Sequence, residues 1–105
     1  MTAIKLRAFE DRAVAFLRRQ FPFECATRDE MLLRSWVRKA VSKGADWKFD
    51  KGEEVFAWLE LMVLLGEGFD TDPRCYWARE ILACFEVSAK TRLNAAVEEA
   101  RRRLA

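Results

Sequence analysis

Histidine is absent from these 105 residues. Without an imidazole, Ser-His-Asp and Cys-His nucleophilic sites, histidine proton shuttles and mixed Cys/His zinc sites are excluded. Cysteine is scarce: Cys25, Cys75 and Cys84 form an odd set without C-x-x-C spacing. Cys75 and Cys84 fall on one expected helix, too far apart for a disulfide. Reduced, buried thiols are the expectation. Long apolar runs are missing too. None exceeds the length of Leu61–Leu65, which follows Glu60 and is far short of the ~20 residues that span a bilayer. No basic start with an apolar run and a small-residue cleavage site marks a secretory signal. The simplest expectation is a soluble, cytoplasmic chain with no membrane partner. Strand-length alternation, internal repeats, low-complexity segments and flexible linkers are likewise missing.

What is present is a folding composition. The chain is 51% hydrophobic and 12% aromatic, with four Trp and eight Phe, which opposes disorder because disordered chains are poor in large apolar groups. Residues 1–105 are enough for one domain with one core. The net charge of +2 is unevenly spread: residues 1–49 hold eleven basic and six acidic groups, residues 50–72 one and seven, and residues 73–105 seven and four. A nucleic-acid binder gathers Lys and Arg into one strong field. Here an acidic middle interrupts the basic excess, which favours internal charge complementarity or an acidic face for a basic partner.

Helical periodicity runs through the chain. Leu6, Phe9, Ala13, Phe16 and Leu17 predict an amphipathic helix over residues 3–20, ended at Phe21-Pro22-Phe23 because Pro disfavours helical geometry in the residue before it. Thr27 and Glu30 have capping-box spacing and predict the next helix start. Its apolar face is Met31, Leu33, Trp36, Val37, Ala40 and Val41, with Gly44 as its terminator. Residues 45–49 read as a short connection carrying Trp47 and Phe49. Asp50 and Glu53 then form an acidic cap for a third helix ending at Leu65. Gly66 stops that helix, and Gly68 frees the following turn to take angles closed to other residues. Asp72 caps a fourth helix with Pro73 at its first position; it buries Trp77, Ile81 and Leu82 and ends near Phe85. Ser88 caps a fifth, packed through Leu93, Ala96, Val97, Ala100 and Leu104, with Arg101, Arg102 and Arg103 at its negative end. The expected fold is an all-α, single-domain compact bundle of about five helices, with the Val55–Leu65 helix central.

Few residues suggest chemistry. Glu67, Asp70 and Asp72 cluster as calcium or magnesium ligands can, but the EF-hand ligand spacing is missing, Asp72 has a capping role and Asp70 can brace the turn. The Asp-Thr-Asp triplet echoes the paired aspartates of phosphoryl-transfer enzymes, which end a parallel strand, whereas this one follows a helix. No metal and no cofactor is expected. Glu60 is the only ionisable residue between Phe56 and Leu65. Buried there it would be a candidate general acid or base; spaced by seven from Glu53 and Glu67, it reads better as a solvent-facing stripe or the partner of a neighbouring Arg. Trp58 and Trp77 belong to the expected core. Trp47, Phe49 and Arg38 are expected on a contact surface, followed by Asp70 in the acidic turn, since aromatics and Arg are enriched at binding hot spots. Arg18, Arg19, Arg34, Arg38 and Arg101 to Arg103 could instead meet phosphates, though they lack interleaved stacking aromatics.

The pattern F-x-x-L-E-L-M-x-x-L-G-x-x-F-D-T-D-P-x-x-x-W-A, from Phe56 through Leu65-Gly66, Phe69, Asp70, Asp72 and Pro73 to Trp77-Ala78, resembles a family of small helical proteins of proteobacteria associated with effector gene clusters of the type VI secretion system. The resemblance covers the central quarter of the chain strongly. It extends more loosely to the preceding helices, including a basic segment like Trp36–Lys43, and to the final helix. Family members often carry Pro-Asp where this chain has Glu67-Gly68, and Tyr-Pro where it has Cys75-Tyr76; neither departure breaks the fold. The family supplies no catalytic residues. The resemblance implies a cytoplasmic chaperone-, adaptor- or immunity-like accessory that binds a secreted protein without catalysis. A small helical nucleic-acid-binding domain is the alternative.

Overall fold

A computed structural model describes residues 3–105, with side chains from Leu6 onward; Met1 and Thr2 of the expected 1–105 domain lie outside the described residues. Five α-helices are present among them: α1 Ala3–Gln20, α2 Glu30–Trp47, α3 Gly52–Leu65, α4 Tyr76–Leu82 and α5 Ala89–Leu104. Two 3-10 turns, Phe69–Thr71 and Pro73–Cys75, join α3 to α4. The all-α single domain expected from periodicity is what forms, with no strand among the described residues.

The centre is α3, which packs on α5, α2 and α1 and meets the turn that follows it. Its apolar residues lie nearly all round the wheel, so several neighbours are needed to cover it. Trp58, Leu59, Leu61 and Met62 are buried, and Trp58 stacks against Phe49 at 5.4 Å and meets Phe69 in a tilted pair at 4.8 Å between ring centroids. A Trp burying on the order of 200 Å² contributes about 5 kcal/mol of transfer free energy, so Trp58→Ala is the single change that would most disrupt this layer.

Several helix ends differ from the sequence reading. The cap of α2 is Asp29, whose Oδ1 accepts from the Leu32 amide at 2.8 Å, and Thr27 is held back in the turn series that closes α1. That series is fixed by the Cys25 and Arg28 amides bonding Phe21 and Cys25 carbonyls. Gly44 does not end α2. The helix runs on to Trp47, and the left-handed residue is Lys48, at φ 57° and ψ 52°. The Lys48 and Phe49 amides both bond the Gly44 carbonyl, the latter at 3.0 Å. Gly44 is required for space: a Cβ there would stand 2.3 Å from the Phe49 carbonyl oxygen. The turn folds Phe49 back into the core.

The start of α3 follows Lys51, and its polar closure comes from Glu54, whose Oε1 accepts from the Asp50 and Lys51 amides at 3.1 Å each. The expected Asp50/Glu53 cap is thereby corrected by one residue. Gly66 ends the helix as expected, at φ 111°, where side chains are strained. Gly68 has φ −101°, open to any residue, so the freedom expected of it is not used. Asp72 and Pro73 start a 3-10 turn rather than α4 itself: Asp72 Oδ1 accepts from the Arg74 amide at 2.9 Å, and α4 follows from Tyr76. The fourth helix stops at Leu82, not near Phe85. It buries Ala78 and Leu82, leaving Trp77 half-buried beneath Arg103, 4.5 Å from the ring centroid. Ser88 caps α5 as expected, its Oγ accepting from the Thr91 amide.

Candidate functional site

Among the described residues four charged side chains are buried, Glu10, Glu54, Asp70 and Arg92, and each is held by structural partners. Glu10, on the inner face of α1, receives Arg38 Nε at 3.0 Å and Arg34 at 3.4 Å from α2. Asp70 Oδ2 accepts from Lys43 Nζ at 2.7 Å and from the Trp47 indole at 3.4 Å, while Oδ1 meets no protein donor. Arg92 has no carboxylate beside it. Its guanidinium donates to the carbonyls of Val87 at 3.0 Å, Trp47 at 2.9 Å, Leu82 at 2.8 Å and Lys48 at 3.2 Å. A cation placed there meets the negative C-terminal ends of α2 and α4 together and fixes both to α5.

These partners reassign most of the expected contact residues. Phe49 is 5% exposed and packs on Trp58, so it belongs to the core and reaches the surface only as part of a groove wall. Asp70 is equally buried and braces the turn onto α2. Arg38 remains exposed but is engaged by Glu10. Trp47 is half-buried, tilted against Trp58 and Phe85. The structure brings Trp47 and Asp70 together, and Phe49 beside them across Trp58, but as an internal cluster.

Four of the seven acids of the acidic middle are paired with cations within the chain. Glu67 pairs with Lys39, Asp70 with Lys43, Glu60 with Arg101 at 2.9 Å, and Asp72 with Arg74 at 2.8 Å. The Arg74 bonds hold the Asp72 carboxyl below the usual carboxylate range. Internal complementarity is therefore realised, and Glu60 has the neighbouring-Arg partner expected of it. Arg34, Arg101 and Arg102 are also tied to acids, and Arg18 donates to the Cys25 and Arg28 carbonyls. The thiols of Cys25 and Cys75 are buried and that of Cys84 is exposed, unlike the all-buried set expected. Burial pushes the Cys75 thiol up, away from the reactive thiolate.

One open region lies along α1. A groove of about 850 Å³ between α1, the end of α2 and the start of α3 is lined by Phe9, Arg12, Val41, Ala45, Phe49 and Val55. Farther along the α1–α3 seam, the half-buried rings of Phe16 and Phe56 stack at 4.7 Å. Arg12 and Arg19, seven apart on one face of α1, are exposed. Neither has a carboxylate partner among the described residues, in contrast to Arg34, Arg38, Lys39 and Lys43 of α2. The Arg12 guanidinium lies over the Phe9 ring at 5.7 Å, which leaves its donors free. Sequence reading placed Phe9 and Phe16 on the apolar face of the first helix, and Phe9 is buried and Phe16 packs against the core, but it did not single out this seam. The signal available was the spacing of Arg12 and Arg19 beside Phe16 on the wheel.

No family model, no curated protein and no solved structure matches this chain.

Proposed function

We propose that the chain is a non-catalytic protein-binding accessory, a chaperone-, adaptor- or immunity-like partner of a bacterial secreted effector, acting in the cytoplasm. The observation that carries the binding part is the α1 face. A groove and a half-exposed aromatic pair lie beside two arginines with no carboxylate partner among the described residues, the residue types that dominate binding energy at protein interfaces. The effector setting rests on the central motif from Phe56 to Ala78. Buried carboxylates and the buried Arg92 support a non-catalytic reading, because each is engaged by groups that hold helices together.

The test is affinity purification of the tagged chain from its native host at moderate salt, with mass spectrometry of what co-elutes. A stoichiometric effector or secretion-apparatus protein is expected. Recovery of nucleic acid instead would favour phosphate binding by Arg12 and Arg19 and overturn the reading, as would turnover of any substrate that disappears in Glu60→Gln or Asp70→Asn.

A further inference from the structure

We propose that the α1–α3 seam, from the groove at Phe9 to Phe16 and Arg19, docks an acidic amphipathic helix of the partner protein. The inference rests on the protein-binding reading and specifies its site and partner chemistry.

The shape comes first. From Ala8 to Arg19 the open face of α1 spans twelve residues, about 16 Å at 1.5 Å rise between successive residues, which matches roughly three turns of a second helix laid alongside. A helix-in-groove contact needs apolar anchors at i, i+3 or i+4, and i+7. The seam offers receiving surfaces at that scale: at one end the groove, where Val41 is half-buried and Ala8 and Ala45 are exposed over the buried Phe9 and Val55, and at the other the stacked, half-buried Phe16–Phe56 pair.

Charge then selects the partner. Arg12 and Arg19 border the aromatic strip at intervals of two turns, exposed and without carboxylates among the described residues. Asp11, also on the exposed side of α1, is already engaged by Arg34. Asp50, at the groove's far rim, is the acid that a partner would meet there. A helix with acids along one border of its apolar stripe complements this layout, whereas a basic helix would meet two like charges. The same two arginines could face phosphates, but the apolar seam between α1 and α3 gives a phosphate backbone nothing to bury.

The experiment is selection of displayed, 18-residue helical peptides of random surface sequence against the intact chain. The retrieved peptides are then measured against Arg12→Glu/Arg19→Glu and against Ala45→Trp, which fills the groove from an exposed helical position. The retrieved peptides are expected to carry net negative charge and an i, i+3/i+4, i+7 apolar stripe. Binding is expected to fall by about tenfold or more in the double variant, and to return when the peptide acids are changed to Lys. Ala45→Trp is expected to weaken it without changing the melting temperature. Retrieval of no peptide, of neutral or basic peptides, or of peptides indifferent to both variants would overturn the proposal. If a native partner is captured whose binding ignores these variants, the seam falls while the protein-binding reading stands. If the chain captures only nucleic acid, both fall.

Discussion

Replacing Arg92 with Met keeps much of the stem's apolar contact while removing four donors, a loss whose size follows from where the acceptors lie. The Leu82 carbonyl is buried and takes its bond at 2.8 Å. Left unpaired it costs about 1–3 kcal/mol. The carbonyls of Trp47, Lys48 and Val87 are only partly buried and can recover water, so each loses a fraction of the ~1.5 kcal/mol typical of a bond to a charged donor. Removing a buried cation returns some desolvation free energy. The net expectation is a loss of about 3 kcal/mol, a large share of the ~5–15 kcal/mol that holds a domain of this size together. Urea titration followed by Trp fluorescence should show a midpoint lowered by about 1–2 M with an unchanged slope. Arg92→Lys, which keeps the charge but not the fork of donors, should lose about half as much. Amide exchange should rise most at residues 46–48 and 82–88. A midpoint shift under about 0.5 M, or exchange that rises uniformly, would refute the view that this side chain ties the ends of α2 and α4 to α5.

Gly44→Ala should lower stability by about 1–3 kcal/mol despite its ~1 kcal/mol gain in helix propensity, because the new Cβ meets a backbone oxygen. Lys48→Gly, four residues on, should raise stability by about 0.5–1 kcal/mol by relieving a left-handed non-glycine residue. Thermal denaturation of the two reads the contrast, and a stabilising Gly44→Ala would contradict the close approach. Lys43→Met should cost about 2–4 kcal/mol by leaving the Asp70 carboxylate nearly unpaired. Lys43→Met/Asp70→Asn should recover part of that loss, and a simple sum in the double-mutant cycle would show the pair is uncoupled. Asp72 and Glu99 are held below their ordinary values of 3.8 and 4.5 by Arg74 and Arg102. Their contribution is present above those values and lost as pH falls through the lower folded ones. Asp72→Asn should flatten the acid limb of a stability-against-pH curve, and an unchanged limb would contradict the pairing.

Helix number and order were legible because the apolar spacing is strong and its punctuation local: Gly66, Pro73 and Ser88 act within one turn of themselves. Misplaced boundaries share a different cause. Asp29 and Thr27 are both good caps, and the choice between them lies in the Phe21–Arg28 turn. A glycine inside a helix looks like one after it, and only the folded-back Phe49 carbonyl distinguishes Gly44. That same fold-back turned Phe49 from an expected contact residue into core. Buried charges were hidden by their type, although the spacing of Arg92 with Ala96 and Ala100 places it on the packed stripe, and Glu10 stands likewise with Ala13 and Leu17. Asp70 was expected at the surface because acidic turns are usually wet. Its burial depends on Lys43 and Trp47, more than twenty positions away.

The most direct measurement is hydrogen exchange of the intact chain with and without the protein it captures. Protection confined to residues 8–19, 41–49 and 52–56 is the expected result. Protection on α4 and α5 with the α1–α3 seam unchanged would contradict it.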